Sequence, residues 1–299
     1  MLQKLKDAFA RRKALRSSPT NALRLVDGDI DGFPEIEIDD FAGRWLISTR
    51  QDDIPRVQDI AKAALELGAT SVYLKQRGDK TAPTHLGGET APDPFVILEN
   101  DLRYEIDFRT GYSQGIFLDQ RDNRLAIRQM SNQREVLNCF AYTCAFGVSA
   151  ASGGAHTVNL DLSKSYLTWG RRNYALNGLD DNAHDFLFGD VFEWLRRFAK
   201  KGRRFDIVIL DPPTFSRDAK GKVFRVEDDF GELVSLAESV LADHGTILAT
   251  TNQRSLFPAT FESLARSGLS NPDAWQITRK PMPPDFRGDP YLKTLWFTR

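Results

Sequence analysis

The 299-residue sequence is poor in cysteine: Cys139 and Cys144 are the only two. A pair of thiols five residues apart excludes a disulfide framework and a four-ligand zinc site, so no metal centre is expected. No apolar run approaches the roughly 20 residues that a membrane span needs, and no membrane partner is expected. The opening segment MLQKLKDAFARRKALR lacks the apolar core and small-residue cleavage site of a leader. A reducing, cytoplasmic compartment is the expectation. Also missing is GxGxxG, the glycine fingerprint for a pyrophosphate. Neither sign of charge is in surplus. The net charge is −1, which taken alone argues against a nucleic-acid partner.

The distribution of charge says more than its sum. Residues 1–16 carry Lys4, Lys6, Arg11, Arg12, Lys13 and Arg16 against one acid, Asp7. A second cluster is Arg196, Arg197, Lys200, Lys201, Arg203 and Arg204, and a milder third is Arg217, Lys220, Lys222 and Arg225. Such clusters on a neutral chain form either a phosphate-facing stripe or three solvated faces.

Periodicity divides the chain in three. Leu2, Leu5, Phe9 and Leu15 among the bases predict an amphipathic helix over 1–19. From 20 to 109 the texture is that of a small α+β module. ALRLVDGD, FPEIEIDDF, RWLISTR and SVYLKQR read as strands, IPRVQDIAKAALELG as a helix stopping at Gly68, and PFVILENDLRYEIDF as a hairpin. This module serves either as an RNA platform or as a homodimer surface.

The remainder, 110–299, alternates. EVLNCFAY, TVNLDLS, HDFLFGD, FDIVILDPP and GTILATTN read as apolar strands. Between them lie helices at CAFGVSAASGG, SKSYLTWGRRNYALNG, VFEWLRRFAKKG and EDDFGELVSLAESVLADHG. That pattern is a parallel sheet covered on both faces, the α/β class. Its ligands bind beyond the carboxyl ends of the strands.

The residues at those ends carry chemistry. After the first strand, Asn138 to Gly147 is rich in small residues that let a ligand approach a helix N-terminus. Asp161, ending the second strand, is placed to accept from both hydroxyls of a ribose; the competing reading is a helix N-cap shared with Ser163. Asp190, after the third, could accept from an adenine amino group with Val191 and Phe192 against the ring, or it too is an N-cap. The fourth strand runs into Asp211-Pro212-Pro213-Thr214-Phe215. Two prolines end the strand in a rigid turn, fixing carbonyl oxygens as acceptors, and Phe215 offers a face to a planar base.

These residues resemble the bacterial 23S ribosomal RNA methyltransferases related to large-subunit methyltransferase I and to the K half of the fused K/L enzyme. The resemblance rests on GIFLDQR (115–121), LNCFAYT (137–143), VNLDLS (158–163), the Asp-Pro-Pro-Thr-Phe turn, and Tyr291-Leu292-Lys293. It implies a Rossmann-like class I methyltransferase domain, with a seven-stranded, mostly parallel sheet, and S-adenosyl-L-methionine as cofactor. The cofactor residues it implies are Gln114, Phe117, Asp119, Arg121, Asn138, Phe140, Ala141, Tyr142, Thr143, Asp161, Leu162, Ser163, Asp190, Val191, Phe192, Asp211 and Pro213. Asp211, Pro212, Phe215 and Asn252 would face the reacting base. Some relatives carry an N-terminal PUA module, and this chain is expected to lack one, starting at what resembles the linker helix.

A C5-cytosine methyltransferase needs a thiolate to attack C6. In the cytosine-modifying branch that cysteine follows the fifth strand; here the positions are Thr250-Thr251-Asn252-Gln253-Arg254. The K-type branch, which methylates guanine at N7, is the better match, and the expected reaction is direct transfer to a ring nitrogen of ribosomal RNA. C5-cytosine methylation is the alternative within the family. A dinucleotide-dependent oxidoreductase is opposed by the missing GxGxxG and by the Asp-Pro-Pro turn. A non-catalytic RNA-binding module would not need the loop at 138–147.

Overall fold

In the computed structural model, residues 1–12, 15, 19–50, 54–90, 92–111, 113–217 and 223–299 are described. The chain forms two compact units, 1–121 with 283–289, and 122–282 with 290–299.

In the first unit, helical spacing of Leu5 and Ala8 gives α1 (Leu2–Arg12) its buried face. β1 (Ala22–Asp27), β2 (Ile36–Phe41) and β3 (Arg44–Thr49) form an antiparallel meander. Its second turn is Ala42-Gly43, both at positive φ (58° and 89°), the two-residue geometry that matches strand twist. α2 (Ile54–Glu66) buries Val57, Ile60, Ala61 and Ala64, and the chain turns at Gly68, whose φ of 96° favours glycine. This helix is the crossover that lets β4 (Ser71–Gln76) pair parallel to β3. β5 (Thr84–Gly88), which has no clear strand signature, completes a sheet of order β1-β2-β3-β4-β5. β6 (Phe95–Glu99) and β7 (Leu102–Ile106) form the expected separate hairpin, turning at Asn100-Asp101.

The second unit begins at Asp122 inside α3 (Arg121–Met130) and then alternates β8 (Glu135–Cys139), α4 (Ala145–Ser152), β9 (His156–Asp161), α5 (Lys164–Leu176), β10 (Asp185–Phe188), α6 (Val191–Lys200) and β11 (Phe205–Leu210). A short hairpin, β12 (Phe215–Arg217) and β13 (Val223–Arg225), follows the Asp-Pro-Pro turn. Then come α7 (Val226–Ser239), β14 (Leu241–Thr251), α8 (Pro258–Ser267), β15 (Gln276–Arg279) and β16 (Lys293–Thr298). Seven strands form one sheet, in the order β10-β9-β8-β11-β14-β16-β15, with β16 antiparallel to both neighbours. This is the expected class I methyltransferase sheet. Strand alternation sends Leu137, Val208 and Leu210 to a core with α6, α7 and α8, and Val136, Ile207 and Ile209 to one with α3 and α4. Each such buried aliphatic side chain contributes about 1.5–3 kcal/mol. The helix expected to run through LADHG instead stops at Ser239. Leu241 pairs with Phe205 at the start of β11, and sheet pairing overrides the helical continuation there.

Of the three basic clusters, the first is not a surface stripe. Arg12 is 1% exposed. Its guanidinium donates to both carboxylate oxygens of Asp31 (3.0 and 2.6 Å) and to the Asp285 carbonyl (3.0 Å). Arg11 also donates to Asp31, at 2.7 Å. Asp285, fully buried, takes two bonds from Arg121 (2.6 and 3.1 Å) and one from the Arg24 backbone amide (2.9 Å). Lys13 and Arg16 lie outside the described residues. Burial would push the Asp31 carboxyl up, but Arg12, Arg11 and the Asp27 amide pull it below the ordinary range.

Breaking a buried pair strands a charge, so Arg12→Ala should cost about 3–5 kcal/mol of the first unit's stability in urea unfolding. Arg11→Ala, at the half-exposed end of the same cluster, should cost under about 1 kcal/mol. Because the folded-state pKa of Asp31 is depressed, its contribution is present above the ordinary carboxylate pKa and is lost as pH falls through the depressed value. Equal losses for the two arginine variants would contradict this assignment.

Candidate functional site

From β8 the chain steps outward through β9 to β10; from β11 it steps the other way to β14. The carboxyl ends of β8 and β11 therefore flank the switch in strand order, where α/β sheets open a crevice.

On the β8 side, the loop from Phe140 to Cys144 alternates hands. Phe140, Tyr142 and Cys144 have φ of 58°, 49° and 61°. A left-handed conformation costs a non-glycine residue roughly 1–2 kcal/mol, so the surroundings must impose it. They do so through hydrogen bonds. The Ala141 amide donates to the Leu160 carbonyl (3.0 Å), the Cys144 amide to the Ala141 carbonyl (2.7 Å) and the Asn173 side chain to the Thr143 carbonyl (2.9 Å). Asp161 holds the centre: Oδ2 accepts from the Tyr142 amide and Oδ1 from the Ser163 amide, both at 2.8 Å. Burial raises the Asp161 carboxyl above its ordinary pKa, against the downward pull of the amides of Tyr142, Ser163 and Leu162.

The N-cap expected as the competing role of Asp161 falls to its neighbour, since the Ser163 hydroxyl accepts from the Tyr166 amide at the start of α5. Asn138 is a core residue; its Nδ2 donates to Asn159 Oδ1 (3.0 Å), and Asn159 in turn donates to the Tyr174 hydroxyl (2.9 Å). Gly147 is obligatory against this network, because a Cβ there would lie 2.0 Å from Asn159 Oδ1. At the end of β10, Asp190 caps α6, accepting from the Glu193 amide (2.9 Å) through Oδ1. Val191 and Phe192 are buried in the core at 2% and 4% exposure, and Leu162 is half-buried.

On the β11 side, Asp211 Oδ1 accepts from Thr250 Oγ1 on the neighbouring strand. Pro212 is buried and Pro213 half-buried. Thr214 Oγ1 donates to Asn252 Oδ1 (2.9 Å). Lys293 fixes the end of β14 by donating to the carbonyls of Gln253 (2.7 Å) and Tyr291 (2.9 Å). Gln253 Nε2 donates to Glu227 (2.6 Å). Thr250, Glu227 and the bracing role of Lys293 were not legible in the sequence, since each acts through a partner on a distant element. The Phe215 side chain lies outside the described residues.

Both cysteines are fully buried, and burial pushes both thiols up, with the Asp161 carboxylate adding to the effect at Cys144. Gln114, Phe117, Asp119 and Arg121 belong to the first unit. There Gln114 Nε2 is buried without a partner among the described residues, Phe117 is exposed, Asp119 is buried and Arg121 holds Asp285.

Residues 58–298 match the S-adenosylmethionine-dependent methyltransferase family. The chain belongs to that family. Over 82% of its length it is 34% identical to ribosomal RNA large subunit methyltransferase I of Aeromonas salmonicida, spanning 63% of that protein, under two thirds. It is 30% identical over 89% of its length to ribosomal RNA large subunit methyltransferase K of Neisseria meningitidis, spanning 77% of it. The crystal structure of SMU.776 complexed with SAH superposes with a TM-score of 0.91 at 30% identity, covering 100% of this chain and 80% of that one. The residues present suit the family's cofactor, S-adenosylmethionine: the carboxylates of Asp161, ending β9, and Asp190, just beyond the adjacent parallel β10, are acceptors of the kind a ligand rich in hydroxyl and amino donors needs. Among the described residues no helix is long and apolar enough to cross a membrane, and no group of three or more His, Cys, Asp or Glu could hold a metal ion.

If Asp161 accepts from the ribose, Asp161→Ala should weaken S-adenosylhomocysteine binding by about 1.5–3 kcal/mol in calorimetry. Only the ionised carboxyl accepts from two hydroxyls. With its pKa raised, affinity should fall on acidification sooner than an ordinary carboxylate would allow, and Asp161→Asn should flatten that profile. An unchanged affinity in Asp161→Ala would remove the ribose from this residue.

Proposed function

We propose that this chain transfers the methyl group of S-adenosylmethionine to a ring nitrogen of a base in 23S ribosomal RNA, in the manner of guanine N7 methylation. The observation that carries this reading is the chemistry of the crevice: its thiols are buried and raised in pKa, and the end of β14 carries Thr250, Thr251 and Asn252. Carbon methylation of cytosine requires a thiolate to attack C6 before C5 can act as nucleophile. A ring nitrogen brings its own lone pair and needs chiefly alignment. The names of the relatives, ribosomal RNA large subunit methyltransferases I and K, support the RNA substrate. That substrate supports a cytoplasmic location.

In this reading Asp161 holds the ribose, Asp190 the adenine amino group, and Leu162, Val191 and Phe192 flank the ring. Phe140, Ala141, Tyr142 and Thr143 line the methionine side. The cofactor's sulfonium supplies an electrophilic methyl group. The base is flipped from its stack, lies against Phe215, and donates its exocyclic amino group to a carbonyl of the Asp211-Pro212-Pro213 turn. Asn252 reads a second edge. With Oδ1 engaged by Thr214, its Nδ2 presents donors, which suits the O6 acceptor of guanine and leaves the N7 lone pair free to take the methyl group. The strands of the module over 20–109 serve as an RNA platform.

Nucleoside mass spectrometry of 23S ribosomal RNA methylated in vitro should show a nitrogen-methylated purine. The Cys139→Ala/Cys144→Ala variant should retain most of the activity with a modest loss of stability. RNA containing 5-fluorocytosine, which traps enzymes that attack C6, should give no denaturant-stable adduct. An adduct that disappears in the double variant would overturn the nitrogen reading in favour of C5-cytosine methylation.

A further inference from the structure

Hydrophobic spacing in α6 buries Val191, Phe192, Leu195 and Phe198 on one side. The opposite side carries the second basic cluster. Arg196, Arg197, Lys200 and Lys201, all exposed, line an open groove of about 580 Å³. Arg196 pairs with Glu232, and the Arg197 guanidinium lies 4.5 Å over the Trp194 ring. Lys200 and Lys201 have no carboxylate partner among the described residues.

Two arguments raise this groove above an ordinary solvated face. The first is energetic. Basic residues in a last helical turn complement the helix dipole. Here, though, Arg196 and Lys200 stand four residues apart, as do Arg197 and Lys201, and each like-charge pair at that spacing opposes the helix by about 0.2–0.5 kcal/mol. A bound polyanion relieves that repulsion. The second argument is geometric. The turn after α6 leads into β11 at Phe205, whereas the Asp211–Thr214 turn leaves β11 after Leu210. Six strand residues at about 3.3 Å each separate the two ends by roughly 20 Å. A base flipped into the crevice does not bring its own phosphates to the groove.

We infer that the α6 groove grips the phosphate backbone of a second segment of the RNA, at the end of β11 opposite the methyl-transfer turn. The inference rests on the RNA reading above. It assigns the chain a folded substrate that reaches both ends of β11, with sequence-independent contact at the groove and base recognition at the crevice.

The test is Lys200→Glu/Lys201→Glu against an unmodified full-length 23S ribosomal RNA transcript, with Lys4→Glu/Lys6→Glu on α1 as a control of equal charge change. Loss of two phosphate contacts should flatten the slope of log affinity against log salt by about 1.4–1.8. The KM for the transcript should rise with kcat unchanged at saturating RNA. Affinity for S-adenosylhomocysteine should match that of the unaltered protein, which shows the fold intact. If the slope does not move, or moves equally in the α1 control, the groove is not an RNA grip. If the unaltered protein binds S-adenosylhomocysteine but neither binds nor methylates the transcript, the RNA reading fails, and the groove assignment fails with it.

Discussion

One carboxylate, that of Asp161, ties together the two loops on which the crevice depends. It receives the Tyr142 amide from the loop after β8 and the Ser163 amide from the start of α5. Together with the bonds at Ala141, Thr143 and Cys144 it keeps Phe140, Tyr142 and Cys144 in left-handed backbone, which none of the three prefers. A carboxylate offers about four lone-pair sites, and the amides of Tyr142 and Ser163 take two. Its direction is therefore set before a ligand arrives, while acceptor capacity remains. Burial, not this pairing, raises its pKa, since taking the carboxyl out of water disfavours the ionised form while the amides pull the other way.

The packing beneath that loop accounts for the cysteines. Asn138, Asn159, Thr157 and Tyr174 form a buried polar network between β8, β9 and α5. It leaves no room for side chains at its margins. A Cβ at Gly170 would lie 2.3 Å from Cys144 Sγ, so glycine and thiol fill a single space between them. A sulfur that functions as filling cannot also swing into the crevice as a nucleophile. Its desolvation opposes the thiolate, and its removal from solvent blocks the approach of a base.

Features written in local pattern were legible from the sequence; those written in distant pairing were not. β8, β9, β10 and β11 announced themselves as short apolar runs, and the Asp-Pro-Pro turn marked where β11 stops, so the strand-end residues could be named. Nothing in the sequence signals that β16 inserts between β14 and β15, because its partners are chosen by the sheet. Leu241 continues the apolar spacing of α7, yet pairing with Phe205 draws it into β14. Arg12 stands in a basic run that reads as surface. Its partners are 19 residues away at Asp31 and 273 away at Asp285, beyond any window of local inspection. The hand of the loop at 140–144 was equally hidden, since glycine, its usual marker, is absent from those positions.

The same locality reconciles a net charge of −1 with the proposed polyanionic substrate. Asp31 and Asp285 are fully buried, and Asp27, Glu37 and Asp39 are largely so, all paired with Arg11, Arg12, Arg24, Arg77 and Arg121 within the first unit. They count in the sum but present little field to solvent. At physiological salt the screening length is about 8 Å, so an approaching phosphate feels only the charges near its own contact. At the α6 groove those are four cations with Glu232 paired to one of them. Where acids are consumed internally and bases are left on a single helix face, total charge stops predicting partners. What decides is which charges folding leaves at the surface without a carboxylate partner, and among the described residues at the end of α6 these are Arg197, Lys200 and Lys201.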